Sequence, residues 1–148
     1  VAKVLIASDH AGVAVKADVV RYLASLGHQV VDLGPESTES VDYPEFAHRL
    51  GRAVVDGQGD WGVLVCGSGI GMSIAANKVP GVRAALANDP YCARMAREHN
   101  DANVLVFGAR VIGPEMIREV VRAFAGADFT PGDDGRHRRR VDKIEQVD

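Results

Sequence analysis

A chain of 148 residues with 47% apolar content is long enough to bury one real core and too short for two ordinary ones. Its formal net charge of -3 excludes a protein that holds nucleic acid through overall positive charge, and its apolar fraction excludes a disordered tail. Two cysteines, Cys66 and Cys92, make no disulfide framework and, without a CxxC or a Cys/His cluster, no zinc site.

In chain order, the first apolar run, Lys3 to Ala7, is of strand length and ends in Ser8, Asp9 and His10. The stretch around it is too short for a signal segment with a cleavage site, and no run approaches the roughly 20 apolar residues that span a bilayer. A cytoplasmic protein with no membrane partner is expected. Helical periodicity follows over about 11–26, then a strand at Gln29 to Leu33 and a helix over 44–56. The third strand, Gly62 to Val65, runs into the stretch CGSGIGM, residues 66–72, and a short helix over 71–77. A strand at Val82 to Ala85, a helix over 90–99, a strand at Val104 to Phe107 and a helix over 114–124 complete the alternation. Pro44, Pro90 and Pro114 suit first helical turns, where a missing N–H costs nothing.

Continuous apolar strands separated by helices predict a three-layer, doubly wound α/β sandwich, Rossmann-like, with a five-stranded parallel sheet and right-handed crossovers. One domain over 1–148 is expected, closed by a C-terminal helical tail over 131–148. Ligands in such folds bind beyond the carboxyl ends of the strands. Three polar strand ends are therefore expected to converge: Ser8 to His10, Cys66 with its loop, and Gly108 to Arg110.

The loop Gly67-Ser68-Gly69-Ile70-Gly71 has glycines at every second position, so it is not the dinucleotide fingerprint GxGxxG. Met72 stands where a P-loop has lysine and where a tyrosine phosphatase has its phosphate-clamping arginine. What remains is a loop that lets several backbone N–H groups point into one concavity at a helix N-terminus, where an anion or a developing oxyanion is stabilised. The same field favours thiolate, so Cys66 could act as a base. The alternative is a small buried apolar residue at a strand end.

Cys92 lies within a helical stretch and reads as packing, as do His28 and His48. His10 sits beside Asp9, and His99 lies at a helix C-terminus where Asn100 could serve as the cap. In the tail from Pro131 to Asp148, five basic residues face five acidic ones, a poor nucleic-acid arm. Arg136 and Arg140, four apart, share a helix face and form either a phosphate clamp or a solvated face with local ion pairs.

ASDHAG at 7–12, CGSGIGMSIAANK at 66–78, REHNDANVLVFGAR at 97–110 and GRHRRRV at 135–141 together resemble the ribose-5-phosphate isomerase B family, collinearly and over nearly the whole chain. The resemblance implies an aldose–ketose isomerase, free of metal and cofactor, that interconverts ribose 5-phosphate and ribulose 5-phosphate in the pentose phosphate pathway. It also implies a homodimer or dimer of dimers with sites at the interface. Cys66 is then the proton-transfer base, and His99 opens the furanose ring. Asp9 contacts sugar oxygens, Gly67 to Gly71 supply donors to the enediolate, Ser68 donates a hydroxyl, and Asn100 binds substrate hydroxyl groups. Phosphate falls to His10, Arg110, Arg136 and Arg140. His99, Asn100 and Arg110 are expected to serve a neighbouring subunit. A family subgroup replaces the cysteine with a glutamate six positions later; Cys66 and Met72 put this chain in the cysteine type. Isomerisation of a six-carbon phosphate such as allose or galactose 6-phosphate, or sugar-phosphate binding without catalysis, are the rival expectations.

Overall fold

The computed structural model describes residues 1–148. Strand β1 (Lys3–Ser8) passes through a single 3-10 turn (His10–Gly12) into helix α1 (Val13–Ser25). There follow β2 (Gln29–Asp32), α2 (Tyr43–Val55), β3 (Trp61–Cys66), α3 (Ile70–Ala76), β4 (Ala84–Leu86), α4 (Pro90–Asn100), β5 (Val104–Gly108), α5 (Pro114–Ala125) and α6 (Arg136–Ile144). The five strands form one parallel sheet in the order β2-β1-β3-β5-β4. This is the expected doubly wound α/β sandwich, with the helical tail present as α6.

Side-chain alternation along each strand sorts the core into two layers. Val63 and Val65 of β3 and Leu105 and Phe107 of β5 face α1, α4 and α5. Leu64 and Cys66, with Val104 and Val106, face α2 and α3. Both faces being covered, β3 and β5 are buried at every position. That is why they read as unbroken apolar runs.

Registers place Ser8 opposite Val65 and Cys66 opposite Gly108, so the ends of β1, β3 and β5 lie side by side. The anticipated convergence of polar strand ends follows from this pairing. Proline stands in the first turn of α2, α4 and α5, as expected.

Two expectations need correction. The fourth strand lies at Ala84–Leu86 instead of Val82 to Ala85, because Val82 is buried against Gly51 of α2 and the Arg83 N–H bonds the Asn103 side chain at 2.7 Å. The C-cap of α4 is Asp101, in the left-handed conformation (φ 48°), and Asn100 is the last helical residue. Aspartate tolerates that conformation for the same reason asparagine does.

Phe124 of α5 is fully buried, with its ring 5.1 Å from that of Trp61 and the Arg97 guanidinium 5.0 Å from its centre. Phe124→Ala should cost about 3–5 kcal/mol through lost transfer energy and the cavity it leaves. Urea unfolding followed by fluorescence of Trp61, the single tryptophan, measures this; an unchanged midpoint would contradict the packing described.

Candidate active site at the carboxyl edge

The end of β1 is pinned to β3 by the Asp9 N–H, which donates to the Val65 carbonyl at 3.0 Å. Asp9 Oδ1 accepts from the N–H groups of Ala11 (2.9 Å) and Gly12 (3.1 Å), capping the 3-10 turn. The carboxylate is thus fixed by the backbone while its residue still lines a cleft. The end of β5 is tied to the same place, with Ala109 N–H donating to the Cys66 carbonyl (2.8 Å) and Arg110 N–H to that of Gly67 (3.0 Å).

Cys66 is almost fully buried, and its Sγ accepts a hydrogen bond from the Gly69 N–H at 3.1 Å. Gly69 holds φ 80°, and a Cβ there would come within 2.6 Å of Leu86 Cδ1 and 2.9 Å of the Phe107 carbonyl carbon. No other residue could make this turn. A Cβ on Gly71 would lie 2.5 Å from the Tyr43 ring, which packs flush on the loop. The Ile70 N–H donates to Ser68 Oγ at 3.2 Å, whereas the N–H groups of Ser68 and Gly71 have no acceptor within the chain. Met72, next along, is fully buried in the core.

These groups surround a cleft of about 630 Å³ lined by Asp9, Tyr43, Cys66, Gly67, Ser68, Ile70, Gly71, Ile74, Arg110 and Val111. Of the residues singled out in the sequence, Asp9, Cys66, Arg110 and every loop position but Gly69, which forms the turn beneath, line this one cleft. Arg110 was expected to serve a neighbour, yet its guanidinium lies beside Gly67 of its own chain, where Nη1 would be 3.3 Å from an added Cβ. His10 adjoins the cleft through Asp9, and its Nδ1 accepts from the Val41 N–H at 3.2 Å, leaving Nε2 to carry the proton.

The remaining four candidates lie elsewhere. Helix α4 starts beyond the carboxyl end of β4 and runs back, antiparallel to the strands, to the start of β5. Its last residues, His99 and Asn100, are therefore exposed at the amino edge of the sheet. Eleven residues of helix span about 16 Å, so His99 does not meet Cys66 of the same chain. Asn100 borders a separate hollow of about 680 Å³ with Lys78, Arg83 and Glu145. Arg136 and Arg140 both lie on α6, which packs against α4. Arg136 pairs with Asp134 at 3.4 Å, and the Arg136 N–H holds the Asp134 carboxyl below the usual carboxylate range.

Cys92 is exposed on α4, with the Asp89 carboxylate accepting its N–H at 2.7 Å. That backbone bond lowers the Asp89 carboxyl, and the carboxylate in turn pushes the Cys92 thiol up, away from reactivity. His28 has the structural role expected of it, its Nδ1 accepting from the Ala2 N–H at 3.1 Å and its ring lying edge-on to Trp61. Tyr43 also lines the cleft, and the sequence alone does not mark it. Its place beside Pro44 in a first helical turn was visible, but nothing local shows that the ring faces Gly71.

A doubly wound sheet that sets a hydrogen-bonded thiol, a backbone-held carboxylate and an arginine around a glycine loop at its carboxyl edge defines an α/β enzyme of acid–base chemistry on small anionic molecules. Residues 4–144 match the Ribose/Galactose Isomerase family, and the chain belongs to that family. It is 42% identical to ribose-5-phosphate isomerase B of Escherichia coli (strain K12), over 99% of this chain and 96% of that one. It is 43% identical to D-erythrulose-4-phosphate isomerase of Pectobacterium atrosepticum, over 87% and 86% of the two chains. The structure of the type B ribose 5-phosphate isomerase of Trypanosoma brucei superimposes with a TM-score of 0.94 at 49% identity, covering 99% of this chain and 98% of that one.

The turn at Gly69 is testable against Gly57, which holds the same φ of 80° with nothing within 4 Å of an added Cβ. Gly57→Ala should cost about 1–2 kcal/mol of stability through backbone strain alone. Gly69→Ala adds a collision with β5 and should cost about 1–3 kcal/mol more. Denaturant midpoints compare the two, and equal losses would contradict the packing of the loop.

Proposed function

We propose that this isomerase interconverts D-ribose 5-phosphate and D-ribulose 5-phosphate through an enediolate, with Cys66 as the base. The observation that carries the reading is the Cys66 sulfur, held by the Gly69 N–H on the floor of a cleft whose loop presents unpartnered N–H groups. A proton next to a sugar carbonyl is weakly acidic, so the barrier is set by stabilisation of the enediolate while a base works. The thiolate takes the proton from C2 of the open-chain aldose, and the bond electrons move toward the carbonyl oxygen, O1. The loop donors meet that charge. Return of a proton from the thiol, which exchanges with solvent in a fraction of turnovers, to C1, with a proton passing from O2 to O1, gives the ketose. Ser68 Oγ and Asp9, both lining the cleft, are the proposed contacts for those oxygens.

The aldose reaches the site as a furanose, and its opening moves a proton from the C1 hydroxyl to the ring oxygen. His99 is the proposed catalyst of that step, and Asn100 a contact for substrate hydroxyl groups. Because both stand at the amino edge, they act in the cleft of a second chain, and the working unit is a homodimer. Exposed Ile70, Ile74 and Val111 rim the cleft where that chain would cover it. His10, Arg110, Arg136 and Arg140 are the proposed phosphate contacts. The reaction belongs to the pentose phosphate pathway of the cytoplasm. The erythrulose-4-phosphate relative favours a second substrate reading, that carbon number is set by details outside the shared machinery. Relative turnover on four-, five- and six-carbon phosphates decides between them.

Proton NMR of ribose 5-phosphate in D₂O should show conversion and solvent deuterium at the exchanging carbon. Cys66→Ala should abolish both while substrate still binds; turnover within a few fold of the parent would exclude Cys66 as the base. Arg136→Ala and Arg140→Ala should each raise KM by about tenfold or more at little change in kcat, the loss of one charge-assisted contact. An unchanged KM would make α6 a solvated face.

A further inference from the structure

The tail motif GRHRRRV contains a histidine to which the reading above gives no role. His137, in the first turn of α6, is buried although its neighbours Arg138, Arg139 and Arg140 are exposed. Its ring lies 4.2 Å from the His99 ring, centroid to centroid, at an interplanar angle of 35°. Its Nδ1 is 2.9 Å from the Thr130 carbonyl. A carbonyl accepts only, so Nδ1 carries a proton and donates. Thr130 is in turn fastened to α4, its N–H and its Oγ1 both donating to the Glu98 carbonyl at 2.9 and 3.0 Å. Glu98 adjoins His99, so a closed circuit runs from α4 through Thr130 to the imidazole of His137 and back onto the imidazole of His99.

We infer that His137 is a positioning residue for His99: its ring is a fixed wall, locked by the Thr130 carbonyl, that sets the plane of an otherwise exposed imidazole. An exposed side chain at a helix end samples several rotamers, and a catalyst of proton transfer must be held in one. The wall is carried by the same helix as Arg136 and Arg140, so docking of α6 on α4 orders the ring-opening group and the phosphate contacts together. This inference rests on the proposed ring-opening role of His99.

The test compares two reactions of the full-length protein. Turnover of ribose 5-phosphate requires ring opening; exchange of solvent deuterium into ribulose 5-phosphate, which cannot form a furanose through its esterified C5 oxygen, requires only the base. His137→Ala should lower kcat on ribose 5-phosphate by on the order of tenfold or more, with KM and the ketose exchange rate little changed. His137→Phe keeps a flat ring against His99 but loses the bond to the Thr130 carbonyl, and should recover part of the lost kcat, which also answers whether the alanine variant is merely unfolded. Equal losses of turnover and exchange in both variants, or no loss in His137→Ala, would overturn the positioning role. His99→Asn run alongside separates the two claims: a selective loss of turnover there without one in His137→Ala overturns this inference alone, whereas no selective loss in His99→Asn overturns the ring-opening reading and this inference with it.

Discussion

The Gly69 N–H reaches the sulfur of Cys66, 3.1 Å away, because the chain reverses immediately after β3 in a conformation that only glycine adopts freely at that point. The reversal lays the loop on the end of β5, where Gly108 makes room in turn: a Cβ on it would lie 2.7 Å from the Ser68 carbonyl carbon. Gly69 in the loop after β3 and Gly108 at the end of β5 thus let two backbones touch. One consequence is that the sulfur is aimed by the main chain, which does not change rotamer. Another is that the N–H groups on either side, those of Ser68 and Gly71, have no intrachain acceptor and belong to residues that line the same opening. The thiol and the groups that would receive the charge it creates are parts of one turn.

The sheet imposes a second constraint. In a parallel sheet every helix returns from the carboxyl edge to the amino edge, so residues at the start of a helix join the strand ends and residues at its end cannot. Asp9, Cys66 and Arg110 follow strands; His99 and Asn100 finish a helix. The separation is a matter of topology and no side-chain rotation removes it. The proposed dimer answers this constraint directly, since a second copy would bring a helix end to the cleft and cover the isoleucines of α3 left exposed there.

Much of this was legible in the sequence. The strands could be read because burial on both faces leaves no polar position to blur them, and β3 and β5 were placed to within a residue at each end. The three polar strand ends were legible for the same reason. The edge strand β4 was misplaced because it is only three residues long and its register is set by side chains distant in sequence, Asn103 among them. The glycine loop was visible as a pattern, but the reasons for its glycines, Leu86, the Phe107 carbonyl and the Tyr43 ring, come from three other elements. Asp101, and not Asn100, caps α4, a choice between two residues both able to turn left-handed. The stacking of His137 on His99 joins segments 38 positions apart and leaves no periodic trace in the chain.

A site divided between two chains can be tested by mixing two inactive proteins. Cys66→Ala would lack the proposed base and His99→Asn the proposed ring-opening group, and each should be nearly silent toward ribose 5-phosphate alone. When the two are unfolded together and refolded, mixed dimers contain one site with both groups intact and one with neither. If Cys66 of one chain works with His99 of the other, the mixture should regain roughly a quarter of parental turnover, as random pairing of two protomers requires. If the mixture stays as inactive as its parts while mixed dimers demonstrably form, the two residues do not serve one site across the interface, and the division of the active site between chains is wrong.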